Sequence, residues 1–518
     1  YGSVERPREG GSGGWGGNAT SGGGVVRIGA SSIVMGGTTA SILANGGRDG
    51  TQGGAGGSIW ITAGTVTGDG LIEAAGGESS RRGGGGAVAI EYGSASGAVL
   101  TRVNAKGGGS GSAATNGGAG TVVLKGPGAT YGTLRVDNKG TSGQATVLPS
   151  LGSGVAQEGT SGATLVTGRA GTIPEYFEGH WVEVRRDGSV IGTWRIGEIT
   201  GGTVTLAPNE SEVIALQAGD AWQGVYRFDA VQVVGNAVLR SADPIRTPTM
   251  ELTGPTGTGG YTEIPGPVVA ETVVVSGNVL TTGITARTLT VKAGAKLTSP
   301  ASTATEAKRL VLDVSGVLTI EDGGSIDVSG RGYPADATYP GATPGTNVAG
   351  SHLGVGGLQG GGTLAGTYGS VTRPQEAGSG GFGTNAQPGG GVIRIEAGSV
   401  VLGGTNAAIL ANGGGSYERV GAGGSVWIKA GTLAGDGRIE AVGADAYYSA
   451  GGGGAIGIEY GSMSGTVLSR TKTKGGGSQI TTGRGGSGTI YLKGPGATHG
   501  TLRVDNLGTS GQATVLPS

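Results

Sequence analysis

The fold is decided by four short stretches in the last third of the chain: Ile393–Ile395 (IRI), Val426–Ile428 (VWI), Ile456–Ile458 (IGI) and Ile490–Leu492 (IYL). Their last residues are 33, 30 and 34 positions apart. In each stretch, alternation places the first and third side chains on one face of a strand. Stacking such strands about 4.8 Å apart lines these side chains into apolar columns. The spacing predicts an all-β chain built as a right-handed parallel β-helix, in which each coil buries its apolar face against its neighbours.

The same pattern occurs near the start of the chain, where the corresponding stretches are Val26–Ile28, Ile59–Ile61, Val88–Ile90 and Val122–Leu124. Tyr1 corresponds to Tyr368, and residues 126–150 differ from residues 494–518 at only two positions. Such a long match indicates duplication. Antiparallel sandwiches are the alternative fold, but their hairpins would show turn signals every 8–12 residues without a period of about 30.

The duplication predicts three domains. Residues 1–150 form a first glycine-rich β-helix, which begins in the middle of a domain and is called the first copy below. Residues 151–229 form a spacer, and residues 230–518 form a second β-helix with its own first coils at 273–367, here called the lead-in. The second copy proper starts at Tyr368. The simplest interpretation is an excerpt from a tandem array.

A second column of strands is predicted 10–15 residues after each stretch. Its members are Ile42, Ile72 and Val136 in the first copy, and Ile326, Ile409, Ile439 and Val504 in the second. Glycine-rich loops such as 107–112 and 451–454 follow at the same phase in each coil. Because glycine lacks a Cβ, we expect these loops to pack side by side as polyproline-II-like segments. Mobile surface loops are the alternative.

The spacer has fewer glycine pairs and more aromatic residues. Trp181–Val184, Thr193–Ile196, Thr203–Leu206 and Val225–Phe228 are predicted to be antiparallel strands. Turns at Asp187–Gly188 and Gly201–Gly202 favour hairpins. The sequence therefore predicts a small β-barrel or sandwich between successive helices, which could also cover exposed strand edges.

Composition excludes several classes of function. Glycine supplies 121 of 518 residues, and the net charge is −1. Nucleic acid is not expected as a partner, since phosphate binding needs clustered Lys and Arg. Membrane insertion is not expected either, because no run of 18 apolar residues occurs. Without cysteine there are no disulfides and no thiol chemistry.

Few residues are candidates for a site. Asp69 and Asp436 occupy the same Gly-Asp-Gly turn in the two copies and are weak candidates for calcium, although capping of a turn is the simpler role. No other cofactor or metal is expected. Trp60, Trp427 and Tyr491 should point outward, where they would form a glycan-binding strip or lie covered by the glycine segments. We favour covered rings.

Catalysis is not predicted. Enzymes that cleave polysaccharides on parallel β-helices need clustered carboxylates, whereas the acidic residues here are scattered. The pairs Arg135/Asp137 and Arg503/Asp505 each lie on one strand face and are predicted to be surface ion pairs. Ice binding is a further alternative, but no regular Thr-x-Thr ladder is present on one face.

The repeated glycine-rich idiom, as in Leu289–Gly294 (LTVKAG) and Ser325–Gly330 (SIDVSG), resembles large bacterial surface adhesins of the filamentous-haemagglutinin type. The glycine loops are also similar to those of some phage tail-tip adhesins. The first resemblance implies an extracellular protein at the bacterial cell surface. We therefore expect a stiff structural segment of a long fibre or adhesin, which joins other copies end to end. The alternative is an adhesin module that binds surface glycans through its outward aromatics.

Overall fold

The computed structural model describes residues 1–109, 111–209, 212–256 and 260–517. Two compact units are formed, one by Tyr1–Pro255 with Gly260–Glu263 and the other by the chain from Ile264 onward. Within the described ranges the only helical segments are four short 3₁₀ turns, at Val99–Arg102, Glu175–Phe177, Val467–Arg470 and Thr481–Gly483. The chain is all-β, as the sequence predicts.

The first copy contributes nine strands: β1 (Val25–Met35), β2 (Ser41–Leu43), β3 (Ser58–Gly68), β4 (Leu71–Glu73), β5 (Ala87–Ser96), β6 (Val103–Asn104), β7 (Thr121–Lys125), β8 (Thr133–Asp137) and β9 (Thr146–Leu148). β1, β3, β5 and β7 pair in parallel, in that order. Ile61 lies opposite Ile28 on one side and Ile90 on the other. The register predicted from the spacing is confirmed, and Ile61 is completely buried by it.

A shorter parallel ladder, β2–β4–β6, forms the second column. Ile72 pairs with Ile42 as predicted, but its other partner is Val103. The assignment of Val136 to this column is wrong, because β8 folds back antiparallel onto β7. The reversal follows Pro127–Gly128, where Gly128 adopts a φ of 75° that a turn requires.

The spacer holds eight strands: β10 (Ser153–Val155), β11 (Ser161–Gly162), β12 (Thr164–Val166), β13 (Trp181–Arg186), β14 (Ser189–Thr200), β15 (Thr203–Ala207), β16 (Leu216–Gln217) and β17 (Ala221–Arg227). Neighbouring strands pair antiparallel, and the predicted hairpins β13–β14 and β14–β15 are confirmed. Asp187 and Gly188 both have positive φ, 49° and 81°, as a two-residue hairpin turn demands. Trp194 and Trp222 pack in a separate apolar core.

Four strands follow the spacer: β18 (Ala230–Val234), β19 (Leu239–Ser241), β20 (Ile245–Thr253) and β21 (Thr262–Ser276). β18 pairs in parallel with β8, so that Val231 lies opposite Leu134, and β20 pairs with β18. β19 pairs in parallel with β9. The spacer is therefore an insertion in a ladder: the last ladder strand before it, β8, pairs with the first strand after it, β18.

The second unit contains β22 (Asn278–Val291), β23 (Lys296–Thr298), β24 (Arg309–Ile320), β25 (Ser325–Asp327), β26 (Thr346–Val348), β27 (Leu358–Thr363), β28 (Val392–Leu402), β29 (Ala408–Leu410), β30 (Ser425–Gly435), β31 (Arg438–Glu440), β32 (Ala455–Ser464), β33 (Thr471–Lys472), β34 (Thr489–Lys493) and β35 (Thr501–Arg503). Its main ladder is β22–β24–β28–β30–β32–β34, all parallel. The predicted register is confirmed here too, with Ile428 between Ile395 and Ile458.

The second column of this unit is the parallel ladder β23–β25–β29–β31–β33. Ile409 lies between Ile326 and Ile439, as predicted. Val504 does not belong to the column, because β35 turns back antiparallel onto β34 and Thr471 takes the position beside Ile439.

The glycine loops are bonded to one another. In the second copy the amide of Gly451 donates to the carbonyl of Ala444 at 3.0 Å, and Gly476 donates to Gly451 at 2.8 Å. A Cβ added at Gly451 would overlap the carbonyl oxygen of Gly421. Glycine is thus required there by close backbone approach. In the first copy, Ser110 of the loop 107–112 lies outside the described residues.

Candidate functional site

The outward face of the first-copy ladder carries Trp60. Register places Arg27, Trp60 and Ala89 in one row across β1, β3 and β5. The Arg27 guanidinium lies 4.4 Å from the centre of the Trp60 ring, which is half-buried. The pair is a cation–π contact, and it leaves part of an aromatic surface open to solvent.

A groove of about 130 Å³ runs beside this ring. It is lined by side chains from the ladder, from the first residues of the chain and from the spacer: Glu5, Arg6, Trp60, Ala89, Ile90, Glu91, Val123, Lys125, Tyr131 and Arg195. Two ion pairs border it, Arg195 with Glu5 at 2.7 Å and Lys125 with Glu91 at 2.9 Å, and Arg6 adds a further positive charge. An aromatic ring bordered by hydrogen-bonding groups suits a polar ligand with an apolar face.

The corresponding Trp427 in the second copy is covered. Only 9 % of its surface is exposed. A Cβ at neighbouring Gly457 would lie 2.9 Å from Pro374 and 3.2 Å from the Trp427 ring, which shows how closely Pro374 approaches this row. The guanidinium groups of Arg394 and Arg373 lie 5.4 and 5.7 Å from the ring centre. Arg373 and Arg394 thus contribute to the cover, which the sequence prediction assigned to glycine segments.

Tyr491 lies in the same row as Trp427, but one strand separates them. Gly457 stands between the two in register, and Pro374 lies against it. The Tyr491 hydroxyl accepts a hydrogen bond from the Gly500 amide at 3.0 Å. Trp427 and Tyr491 therefore share a face without forming a continuous aromatic strip.

Asp69 and Asp436 link successive turns. The Asp69 Oδ1 accepts from the Ala98 amide at 2.8 Å. The Asp436 Oδ1 accepts from the amide of Thr466 at 3.0 Å and from its hydroxyl at 2.8 Å. In the described ranges no group of three or more His, Cys, Asp or Glu side chains could hold a metal ion. Both aspartates thus act as hydrogen-bond acceptors for the next turn of the chain.

The predicted pair Arg135/Asp137 is confirmed, with 2.5 Å between Nη2 and Oδ2. Burial would raise the pKa of Asp137, but hydrogen bonds from Lys139 and the charges of Lys139 and Arg135 lower it below its usual value. The matching prediction for Arg503 and Asp505 is wrong. Arg503 donates instead to the Thr471 carbonyl, and Asp505 accepts from the Leu507 amide at 2.7 Å.

The base of the spacer is held by a residue that the sequence did not single out. The buried Asp243 carboxylate accepts from the Ser150 hydroxyl at 2.6 Å and from the Leu151 and Gly152 amides at 2.7 and 3.0 Å. His180 Nε2 lies 3.2 Å away. Burial would raise the pKa of Asp243, but hydrogen bonds, that of His180 foremost, lower it. These hydrogen bonds, called the Asp243 clasp, join residues 150–152, where the chain enters the spacer, to Asp243, which follows the spacer.

An aromatic–arginine stack supports the same junction. The Arg227 guanidinium lies 4.3 Å from the Tyr131 ring centre and 4.9 Å from that of Trp181. The two rings meet edge to face at 5.4 Å. His499 replaces Tyr131 in the second copy. This is one of the two positions at which the matching ends differ, and the ring contacts mark Tyr131 as a partner of the spacer.

No protein-family model, curated protein or solved structure matches the chain. None of the helical segments in the described ranges is long and apolar enough to span a membrane. Several charged groups on the ladder faces form ion pairs within the chain, such as Lys125 with Glu91 and Arg135 with Asp137.

Proposed function

We propose that the chain is a structural repeat segment of a long extracellular fibre or bacterial surface adhesin. Each repeat would be a right-handed parallel β-helix bordered by polyproline-II-like glycine segments. The observation that carries the proposal is the pairing of β8 with β18, because the ladder continues across an excursion of 79 residues, 151–229. A ladder that tolerates such an insertion can be extended by repetition.

The mechanical role follows from the arrangement of hydrogen bonds. Each added strand lengthens a parallel ladder by about 4.8 Å, and each coil contacts only its neighbours. The glycine segments add lateral hydrogen bonds beside the strands, such as Gly485 to Gly476 at 3.0 Å. The spacer, as a small β-barrel or sandwich, would sit beside this ladder without interrupting it. Other copies, joined end to end, are the proposed partners, and no catalytic role is proposed.

Glycan binding is a second candidate, and the groove beside Trp60 favours it. Aromatic rings stack on the apolar faces of sugars, and the paired charges around the groove offer donors and acceptors. Trp427 does not offer an equivalent surface, since residues 372–374 cover it. On this alternative, glycan recognition belongs to the first copy and its spacer.

One set of chains tests both candidates. Chains with one, two and three tandem units of 367 residues would be imaged by electron microscopy, and each would be applied to a glycan array. Scaffolding predicts rods whose length rises by a constant increment, without saturable glycan binding. Compact particles that do not lengthen would contradict scaffolding. Binding that is lost in Trp60→Ala and retained in Trp427→Ala would instead establish the glycan function.

A further inference from the structure

In the second copy, a segment of the lead-in is inserted among the glycine loops. Residues 349–357 donate from Gly350 to the Val420 carbonyl at 2.9 Å, from Gly354 to Gly453 at 3.0 Å and from Val355 to Ala513 at 3.0 Å. In return, the Gly452 amide donates to Gly350 at 3.0 Å, and the Gly486 amide donates to Val355 at 2.9 Å. The segment is thus held from several sides by backbone hydrogen bonds.

The corresponding place in the first copy is open. A slot of about 350 Å³ lies there, lined largely by residues 9–12, 55–57, 84–86, 117–121 and 144–149. Gly84 corresponds to Gly452, and Gly118 to Gly486. The amides of Gly84 and Gly118 have no acceptor among the described residues. Gly84 is half-buried, whereas Gly452 is fully buried.

The space around Gly84 and Gly452 differs in the same way as their burial. A Cβ added at Gly452 would overlap the carbonyl oxygen of Gly354. At Gly84 the nearest heavy atom to such a Cβ is the Gly118 carbonyl oxygen, 3.8 Å away. Both glycines have the same neighbours in sequence. Residues 349–357 fill this space in the second copy, and no described residue fills it in the first.

An aromatic residue follows the slot-lining residues 9–12 in the sequence. In the second copy Phe382 is 4 % exposed and packs against Val348, Leu358 and Ala365 of the lead-in. Its amide also donates to the Val348 carbonyl at 2.8 Å. The corresponding residue of the first copy is Trp15, which is 92 % exposed. A large aromatic ring stands where the lead-in would bury it.

We propose that this slot binds an extended glycine-rich segment with the sequence pattern of Thr346–Thr363. The segment would pair with the free backbone groups of the slot and bury Trp15, a recognition mode in which main-chain bonds give affinity and side-chain pockets give specificity. Its source is the lead-in of another repeat. That source rests on the proposed function, whereas the existence of the slot does not.

The probe is a synthetic peptide of residues 346–363 (TNVAGSHLGVGGLQGGGT), titrated into the full chain by calorimetry and by tryptophan fluorescence. We expect saturable binding of one peptide per chain, because the slot of the second copy is already filled. Trp15→Ala should weaken binding about 30-fold, the effect of losing an aromatic anchor. Gly84→Ala should weaken it at least about tenfold by obstructing the backbone pairing.

Gly29→Ala is the matched control. A Cβ at Gly29, on β1, meets no heavy atom within 4 Å, so the peptide should bind this variant as it binds the natural chain. A peptide with the same composition in scrambled order should not bind. The proposal that the slot binds this peptide would be contradicted by absence of saturable binding to the natural chain. Equal binding to Gly84→Ala would contradict it as well. Such a result would leave the rod-length series untouched, so the two proposals can fail separately.

Discussion

The two copies have similar sequences but different exposure at both ends. Tyr1 is 72 % exposed, whereas its counterpart Tyr368 is 6 % exposed. At the other end the order is reversed, because Leu134 is fully buried and Leu502 is 43 % exposed. Burial at these positions is therefore decided by flanking segments rather than by the copy itself. The proposal of a repeat segment leads us to expect this, since units of a repeat protein contact chiefly their neighbours.

The covering segments can be named. β18 pairs with β8 and buries Leu134. At the start of the second copy, Tyr368 stacks on Tyr339 and meets His352 edge to face, each at 5.1 Å between ring centres. The comparison predicts that the same substitution will have unequal effects in the two copies wherever these covers differ.

Leucine truncation should give the largest contrast. Leu134→Ala removes a fully buried side chain and is expected to destabilise the first unit by about 2–5 kcal/mol. Leu502→Ala, at a half-exposed position, should cost less than about 1 kcal/mol. Local unfolding free energies from hydrogen exchange would measure both. Equal costs would contradict the assignment of β18 as the cover.

Tryptophan truncation tests the ladder face. Trp427→Ala should cost about 3 kcal/mol, because residues 372–374 and two arginines lose the ring they pack on. Trp60→Ala should cost about half as much, since part of that ring already faces solvent. Urea unfolding of each variant supplies the comparison. A larger loss for Trp60→Ala would show that the first-copy groove is the better packed site.

Acidification should affect the second unit through His352. This ring is fully buried, and neither nitrogen has a hydrogen-bond partner among the described residues. Burial lowers the pKa of His352 to about 4, although the charge of nearby Glu376 opposes the shift. The folded state therefore favours the neutral ring. The contribution of the neutral His352 ring to the free energy of unfolding is therefore complete above the unfolded pKa of 6.5. It is lost as the pH falls towards 4.

Between pH 7 and pH 5 the second unit should lose about 2 kcal/mol from this group. Thermal unfolding at both pH values would measure the loss. His352→Asn is the control: it cannot titrate, so the difference between the two pH values should shrink by that amount. A pH dependence that is the same in the variant would exclude His352 as its source.

The turn aspartates should give the smallest contrast. Asp436→Ala removes two hydrogen bonds from Thr466, and Asp69→Ala removes one from Ala98. We expect losses of about 1 and 0.5 kcal/mol, since a neutral exposed bond contributes modestly. Calcium titration with calorimetry accompanies the unfolding measurements. Stabilisation by calcium that disappears in these variants would revive the metal hypothesis.

Strand register could be predicted because the sequence contains a repeated apolar pattern at fixed spacing. Alternating β-branched residues around Ile61 and Ile428 recur at fixed spacing, and only parallel stacking places them opposite each other. The hairpin at Asp187–Gly188 could be predicted for a similar reason, since few dipeptides adopt its positive φ angles. These features depend on local chemistry that one sequence reveals.

The remaining features depend on contacts without a sequence pattern. Val136 was misplaced because a turn at Gly128 reverses the chain, and the distance along the sequence does not show direction. The insertion of residues 349–357 is made by backbone groups, which every residue possesses. Asp243 has partners 63–93 residues away, so nothing near it in sequence identifies the clasp.

We propose that an ordered glycine layer, completed by the lead-in, stiffens the ladder of the second copy. Amide hydrogen exchange of the full chain tests it most directly, through Gly452 and Gly486 in the second copy and Gly84 and Gly118 in the first. We predict strong protection of the first pair and weak protection of the second, with the second rising when the peptide of residues 346–363 is added. Exchange of all four amides at the rates of an unfolded chain would contradict an ordered glycine layer.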